Sequence, residues 1–260
     1  MIPTISLGPL SLPTYPLVIM LGYFFGLWFA ARVAARRGID PDHLYNMGFY
    51  AVIAGVVAGR LGHVIRYFPA YRLDPLSVLS PNFTAMEPLA AAAAALAVAL
   101  WYQRKHKLAW PALLDALAGL GLVLLAALAL AEGLNGLNFG EPTLAPWAIY
   151  QWNVARHPVQ FYEFFGVLVV IAWFWSLLGR LRPGFGALLA VGGYAAVRLI
   201  VDAFRAEPVL VGDGFRLSQV VAWIVLLVVL LAFYQASREH EGDQPSGPGL
   251  AGDQELARKQ

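Results

Sequence analysis

The sequence contains no cysteine and few charged residues. Without cysteine, its 260 residues can form no disulfide bond, no thiolate nucleophile and no cysteine metal site. Charged residues make up 13% of the chain, whereas a soluble domain carries about 25%. Hydrophobic residues make up 59%. A chain with so little polar surface predicts a multi-pass membrane protein.

The net charge and the first residues argue against two further features. A formal net charge of +2 is too small to favour nucleic-acid binding. The chain opens without a basic region and without a cleavage site of small residues. We therefore expect no removable signal peptide.

Long apolar segments follow one another along the chain. A transmembrane helix needs about 20 apolar residues, and only the third segment, which is alanine-rich, falls clearly short unless it begins near Phe83. We predict an all-α fold of about seven transmembrane helices in one domain, residues 1–236. A charged tail rich in Gly and Ser, residues 237–260, is expected to be disordered. The predicted spans are Tyr15–Ala35, Tyr45–Tyr67, Leu89–Tyr102, Trp110–Ala131, Phe161–Leu178, Phe185–Phe204 and Leu217–Gln235.

Basic residues set the predicted orientation. Lysine and arginine are enriched on the cytoplasmic side of membrane proteins, and here they cluster after the first, third, fifth and seventh spans. We therefore expect the amino terminus outside and the carboxyl terminus, with its tail, in the cytoplasm. The clustered residues are Arg32, Arg36, Arg37, Arg104, Lys105, Lys107, Arg180, Arg182 and Arg238.

This topology brings polar side chains from four parts of the chain to one depth near the outer side. Tyr194, Arg198, Asp202 and Arg205 are spaced so that they share one face of the sixth span. The stretch Arg156–Glu163 (RHPVQFYE) opens the fifth span with several ionisable groups. The end of the second span and the loop of residues 132–157 contribute the rest. Their polar residues are Arg60, His63, Arg66, Glu132, Asn135, Asn138, Glu141, His157, Gln160 and Glu163.

Charged side chains inside a membrane need partners. Each unpaired Arg or Asp in the middle of a span costs about 2.5–3.5 kcal/mol. The charged groups must therefore pair with each other, line a wet cavity or bind a charged ligand. Arginines outnumber acids along the two helical faces and offer a planar, bidentate fork, so a lipid phosphate is the favoured guest. The alternative is that Arg198 and Asp202 form only a structural ion pair, and that His63 is simply packed.

Several motifs resemble those of the prolipoprotein diacylglyceryl transferase family. The stretch Arg156–Glu163 resembles the family's RHPSQLYE block. Residues 192–205 resemble its GYGxFR and EFFR blocks, and residues 59–63 (GRLGH) resemble its GGRxGY block. The resemblance covers most of residues 12–234, and the motifs follow the same order on the predicted spans.

The resemblance implies an enzyme that moves the diacylglyceryl group of phosphatidylglycerol to the cysteine thiol of a prolipoprotein lipobox. It would act in the bacterial cytoplasmic membrane, with its active site toward the outer leaflet. The implied partners are phosphatidylglycerol, a prolipoprotein signal peptide and membrane lipid, and neither a cofactor nor a metal ion is expected. The chemistry needs a base for the thiol and cations for the departing phosphate. The residues expected to act are His157, Glu163 and Glu87 as catalytic groups, Arg60, Arg198, Arg205, Tyr194, Gln160 and Tyr15 as phospholipid ligands, and Asp202, Asn138 and Glu141 as supporting groups.

Two family motifs are altered in this chain. The family's SFHGG segment, whose histidine is taken as important for catalysis, aligns with residues 85–89 (AMEPL), where Glu87 is a possible substitute. The arginine of the family's GRxGNFxNGE signature is replaced by Gly133. Two other hypotheses therefore stay open: a non-catalytic homologue that binds phospholipid or signal peptide, and a small transporter. The chain has no convincing internal repeat, which weighs against the transporter.

Overall fold

The computed structural model describes residues 3–7, 10–80, 85–212 and 214–242. Within these residues the chain forms eight α-helices, and three short antiparallel hairpins lie in the connections. Two 3-10 helices, Pro75–Leu79 and Asp202–Phe204, follow α3 and α7. The helices are α1 Thr14–Arg36, α2 Pro41–Arg66, α3 Phe68–Leu73, α4 Pro88–His106, α5 Trp110–Asn135, α6 Val159–Leu177, α7 Phe185–Val201 and α8 Leu217–Gly242. The hairpins pair β1 Thr4–Leu7 with β2 Leu10–Pro13, β3 Ile149–Gln151 with β4 Val154–Arg156, and β5 Leu210–Val211 with β6 Phe215–Arg216.

Six helices in the described part of the chain are long and apolar enough to cross a membrane: α1, α2, α5, α6, α7 and α8. The predicted multi-pass helical fold is thereby confirmed. Helix α4, the predicted third span, has 19 residues and is not among these six. Its run of alanines is only weakly hydrophobic, and its last turn is polar, with Gln103, Arg104, Lys105 and His106.

Two helices extend beyond their predicted ends. Helix α8 continues through Gly242, although the predicted disordered tail begins at residue 237. The remainder of that tail, residues 243–260, lies outside the described residues, as does the alternative start of the third span near Phe83. Helix α5 ends at Asn135, so Glu132 lies in its last turns and not in the following loop.

Helices α1 and α5 approach each other closely because glycine lies where they cross. A Cβ built on Gly22 would lie only 2.3 Å from the Cβ of Ala127. A Cβ on Gly26 would lie 2.7 Å from Cδ1 of Leu120. The two glycines are four residues apart and so lie on one face of α1, a spacing that is typical of closely packed membrane helices. Helix α5 also contacts α6 and α7, α8 packs on α7, and α2 pairs with α4 on the flank of α1.

A buried ion pair ties three helices together at the end of the bundle where α5 and α7 begin. Asp115 is fully buried, and its Oδ2 lies 2.7 Å from Nε of Arg37, just after α1. The same carboxylate accepts hydrogen bonds from the backbone N–H groups of Gly184 at 3.0 Å and Ala187 at 2.8 Å. Arg37 also donates to the carbonyl of Leu181 at 2.7 Å. One carboxylate thus caps α7 and fixes the ends of α1, α5 and α7 relative to one another.

Asp115→Ala is expected to lower the free energy of unfolding by about 3–5 kcal/mol, because it leaves the guanidinium of Arg37 buried without its partner. Unfolding in detergent, followed by circular dichroism, measures the change. Adding Arg37→Met to Asp115→Ala removes the unpaired charge and should recover part of the loss. Arg180→Gln, an exposed change at the same end of the bundle, is the control. Equal stability of Asp115→Ala and this control would contradict the prediction.

Candidate active site

Polar residues of four chain segments meet at the end of the bundle opposite Asp115. The segments are the last turns of α5, the end of α7, the first turns of α6 and the connection between α5 and α6. Glu163 lies at their centre, in the second turn of α6, and is 4% exposed. Pro158 is the cap residue of α6, and the helix start that it marks places Glu163 in the second turn.

Glu163 accepts hydrogen bonds from three side chains. The hydroxyl of Tyr194 donates to Oε1 at 2.8 Å. Nη2 of Arg205 donates to Oε2 at 2.8 Å. Nη1 of Arg198 lies 3.3 Å and 3.4 Å from the two oxygens. All three partners lie on α7 or directly after it, so these bonds join α6 to the end of α7.

Asp202 completes a network of alternating charges with the two arginines. Its Oδ2 lies 2.9 Å from Nη2 of Arg198, and its Oδ1 lies 3.0 Å from Nε of Arg205. Two guanidinium groups therefore face two carboxylates. The cluster is formally neutral, whereas the sequence predicted a surplus of arginine. We call these five residues the Glu163 network: Glu163, Tyr194, Arg198, Asp202 and Arg205.

An apolar cavity opens beside the Glu163 network. Its volume is about 460 Å³, and residues of α5, α7 and α8, such as Leu122 and Leu125, line it. Its polar lining includes Tyr194 and Arg198. The side chain of Arg198 is 27% exposed, compared with 12% for Arg205. Arg198 is therefore a member of the network that also lines the cavity.

His157 lies near the Glu163 network among aromatic side chains. Its Nδ1 is 3.3 Å from the hydroxyl oxygen of Tyr162. The same oxygen accepts a hydrogen bond from the indole N–H of Trp147 at 2.6 Å. The ring centroids of His157 and Phe204 are 5.1 Å apart. These contacts occupy Nδ1 of the histidine, and among the described residues Nε2 forms no hydrogen bond.

Backbone contacts hold the connection between α5 and α6 against the end of α7. The N–H of His157 donates to the carbonyl of Glu141 at 3.0 Å, and the N–H of Glu141 donates to the carbonyl of Phe204 at 2.9 Å. Gly140 is so close that a Cβ on it would lie 2.4 Å from the carbonyl oxygen of His157. Nη2 of Arg216 donates to Oε1 of Glu141 at 2.8 Å. The connection therefore has a defined position in which His157 and Glu141 flank the network.

Hydrogen bonds also shape the turn that follows α5. Gln160 is fully buried and donates from Nε2 to the carbonyl of Leu137 at 2.6 Å. Asn138, whose φ of 51° lies in the left-handed region, donates from Nδ2 to Oε1 of Glu132 at 2.6 Å. These predicted site residues thus lie around the Glu163 network and position the chain beside it.

Glu132 and Arg216 belong to this site although sequence reasoning did not name them among its functional residues. Glu132 holds Asn138, and Arg216 donates to the carbonyls of Asp202 and Arg205 as well as to Glu141. The topology placed both on the outer side. Neither forms a helical stripe with other candidates, however, so the sequence carried no signal that singled them out.

Arg60 lies on α2, where it supports the connection between α2 and α4. Its guanidinium donates to the carbonyls of Ser77, Val78 and Ala85 at 2.6, 3.0 and 3.0 Å. It borders a cavity of about 360 Å³ that is also lined by Tyr71. Three carbonyl acceptors orient this guanidinium toward the connection and stabilise its conformation.

Glu87 and Tyr15 occupy further positions at the same end of the molecule. Glu87 precedes α4, its backbone N–H donates to the carbonyl of Gly59 at 2.8 Å, and its Oε2 lies 2.9 Å from Nη1 of the exposed Arg66. Tyr15 lies in the first turn of α1. The structure joins five of the residues predicted to act: Glu163, Tyr194, Arg198, Asp202 and Arg205. Four more, His157, Gln160, Asn138 and Glu141, lie around these five. Glu87 and Arg60 lie on the side of the molecule formed by α2 and α4.

Apolar helices long enough to span a membrane, with a neutral network of buried charges at one end, define an α-helical integral membrane protein. An apolar cavity of about 460 Å³ lies against that network. A sequence model of one family, described as prolipoprotein diacylglyceryl transferase, matches residues 3–235. The chain belongs to this family, and the resemblance of its motifs is confirmed.

Several bacterial relatives are similar to the chain over most of its length. A protein of Nitrosomonas europaea is 35% identical over 221 residues, which cover 81% of this chain and 78% of that protein. A protein of Cupriavidus metallidurans is 32% identical and covers 78% and 80% of the two chains. A protein of Corynebacterium diphtheriae is 28% identical and covers 90% and 92%. Each is named phosphatidylglycerol–prolipoprotein diacylglyceryl transferase, so these relatives are transferases.

Gly140→Ala is expected to lower the free energy of unfolding by about 1–3 kcal/mol, because the new Cβ forces the backbone at His157 to move. Thermal unfolding in detergent measures the loss. The matched control is Gly179→Ala, since a Cβ at Gly179 meets no atom within 4 Å. If the two alanine variants unfold at the same temperature, the close contact at Gly140 does not constrain the connection.

Proposed function

We propose that the protein transfers the diacylglyceryl group of phosphatidylglycerol to the cysteine thiol in the lipobox of a prolipoprotein. The names of the relatives support this activity. The observation that carries the proposal is the position of Arg198, between the Glu163 network and an apolar cavity of about 460 Å³. A phospholipid has the same two parts side by side, an anionic phosphate and its acyl chains.

Arg198 is better placed than Arg205 to engage the lipid phosphate. Its hydrogen bonds to Glu163 are long, at 3.3 and 3.4 Å, whereas Arg205 donates to Glu163 at 2.8 Å. Arg198 is also the more exposed of the two. We assign Arg198 to the phosphate and Arg205 to holding Glu163. Tyr194, whose hydroxyl donates to Glu163 at 2.8 Å, keeps the carboxylate oriented at the cavity wall.

The reaction takes place at the carbon of the diacylglyceryl group that is bonded to the phosphate oxygen. One bond forms and one bond breaks at this carbon. A base takes the proton of the lipobox thiol, and the thiolate attacks that carbon. A carbon–sulfur thioether forms as the carbon–oxygen bond breaks, and glycerol phosphate leaves with the bonding electrons. Negative charge grows on the departing phosphate, and a guanidinium fixed beside it stabilises the transition state more than the ground state.

His157 fits the role of the base better than Glu163 does. Both oxygens of Glu163 already accept hydrogen bonds from charged or phenolic donors, so neither oxygen is free to receive the thiol proton. His157 has one nitrogen near Tyr162 and a second nitrogen for the thiol. Glu87 lies before α4 and is paired with Arg66. We therefore place proton transfer at His157, directly or through one water.

A second candidate function is phospholipid or signal-peptide binding without chemistry. The observation that favours it is the packing at Gly133, the position of the family's arginine. A Cβ there would lie 3.3 Å from the Cβ of Gln160 and 3.3 Å from the ring of Phe161. A Cβ at this position is already in tight contact with side chains of α6, so a longer side chain there requires these side chains to move.

We place the protein in the bacterial cytoplasmic membrane with the Glu163 network toward the outer leaflet. Arg37 and Asp115 lie at the opposite end of the bundle, where α1 ends and α5 begins. The basic last turn of α4, with Arg104 and Lys105, precedes α5 at that end. Such basic clusters are typical of the cytoplasmic side.

Arg198→Ala is expected to lower the rate of transfer by about 100-fold or more, because the departing phosphate loses a fixed cation. Purified protein is mixed with phosphatidylglycerol and a lipobox peptide, and lipidated peptide and released glycerol phosphate are both measured. Arg180→Ala, an exposed arginine at the other end, is the control. If the unaltered protein binds phosphatidylglycerol saturably and forms neither product, the binding function is favoured. Neither binding nor product would reject both lipid functions.

His157→Gln is expected to lower the turnover rate by about 100-fold or more while phosphatidylglycerol binding stays within about twofold of the unaltered protein. Glu163→Gln should weaken binding and turnover together, because Arg198 and Arg205 lose a shared anchor. Rates at saturating lipid, with lipid affinity measured separately, distinguish the two effects. Full turnover by His157→Gln would assign the base to another residue.

A further inference from the structure

A second groove lies between α2 and α4, at the end of the bundle away from the Glu163 network. Its volume is about 740 Å³. The lining residues of α2 run from Asn46 to Val57, and those of α4 run from Val98 to His106. Within each helix they recur every three or four residues, so each helix contributes one continuous face. Nothing in the proposed transfer reaction uses these residues.

The groove changes from polar to apolar along its length. Asn46, Lys105 and His106 line one end, and Ile53, Val57 and Val98 line the other. The two ends are about 12–16 Å apart, since 8 to 11 residues of helix separate them. The apolar end lies deeper along α2 and α4, away from the ends where α2 begins and α4 finishes. A membrane lipid has this order of polar head and apolar chains over a similar depth.

Ring contacts hold the polar end in place. The ring of His106 stacks on the buried Tyr102, with centroids 4.2 Å apart and an interplanar angle of 28°. The Tyr102 hydroxyl lies 3.1 Å from Nδ1 of His43, whose ring centroid is 4.8 Å from that of His106. His106 is therefore fixed against α2 before any ligand arrives, which reduces the entropy lost on binding.

The charge at the polar end favours an anion. The ammonium of Lys105 lies 4.8 Å from the ring centroid of Trp101, and among the described residues it forms no ion pair with a carboxylate. Arg104 and Lys107 add positive charge in the same turns of α4. Asp40 and Asp42 lie at the start of α2, where the side chain of Asp40 accepts the backbone N–H of Asp42 at 3.0 Å. Neither carboxylate lines the groove, although both interact electrostatically with Tyr102 at its polar end.

We propose that this groove binds a phospholipid with an anionic headgroup from the leaflet opposite the Glu163 network. Its phosphate lies between the ammonium of Lys105, the imidazole of His106 and the amide of Asn46. Its acyl chains follow the apolar wall formed by Ile53, Val57 and Val98. This lipid is a bound partner of the fold and not the donor in the transfer reaction, because the bundle separates the two sites.

The test is lipid binding to the purified full-length chain in a neutral detergent, measured by native mass spectrometry. The probes are phosphatidylserine, which is anionic, and phosphatidylcholine, which is zwitterionic. Lys105→Gln removes the charge that lines the groove. Arg104→Gln removes one charge from the same turn of α4 without lining the groove, and is the matched control. Val57→Trp fills the apolar part of the groove and leaves every charge in place.

Phosphatidylserine is expected to bind in preference to phosphatidylcholine. Its dissociation constant should rise about fivefold in Lys105→Gln and change less than twofold in Arg104→Gln. Val57→Trp should also weaken it, which a purely electrostatic attraction would not predict. Equal losses in the two charge variants would mean diffuse surface attraction and would overturn the proposal. Binding abolished by excess inorganic phosphate, with Val57→Trp unaffected, would identify a free-phosphate site and reject the lipid.

Discussion

Neutralisation of buried charge at the end of α7 is the constraint on which the rest of the structure depends. Glu163 and Asp202 are 4% and 1% exposed, and an isolated charge at such a place costs several kcal/mol. Each carboxylate meets both Arg198 and Arg205. Removing any one of the four leaves a net charge in the buried cluster. Helices α6 and α7 therefore cannot slide past each other without losing several interactions at once.

Buried charge at the opposite end of the bundle is neutralised in a different way. There a single carboxylate, Asp115, faces one guanidinium and two backbone N–H groups at the start of α7. Helix α7 is thus held at its beginning by a cap and at its end by paired side chains. Between these points the packing is apolar and includes close contacts at glycine, such as Gly193 against Val170. A helix fixed at both ends presents Tyr194 and Arg198 to the cavity in one orientation, which favours a preorganised site.

Much of this arrangement could be predicted because it follows from local periodicity. The spacing of Tyr194, Arg198 and Asp202 placed them on one face, and the predicted orientation of the spans brought Glu163 to the same depth. Each of these inferences needs only the helical repeat and the order of the spans.

The other features of the site depend on conformations and contacts that the helical repeat does not determine. Arg60 is bound by carbonyls of a connection whose path the sequence does not specify, and any residue type can supply a carbonyl. Arg216 likewise donates to two backbone oxygens after α7. Helix α4 is less hydrophobic than the six spanning helices because alanine favours a helix but contributes little to membrane insertion. The neutrality of the Glu163 network became visible only when partners could be assigned.

Helices α2 and α4 form a part of the molecule that is less tightly packed than the remaining bundle. These helices pack chiefly on each other and reach the remaining bundle through α1. Only 11% of the α2 span is buried, against 44% for α5, and an apolar cavity of about 440 Å³ separates the pair from α1 and α5. Sparse burial and few contacts with the rest of the bundle are typical of a unit that opens separately from its neighbours. The cavity at this boundary is lined almost entirely by apolar side chains, so hydrocarbon suits it better than water does.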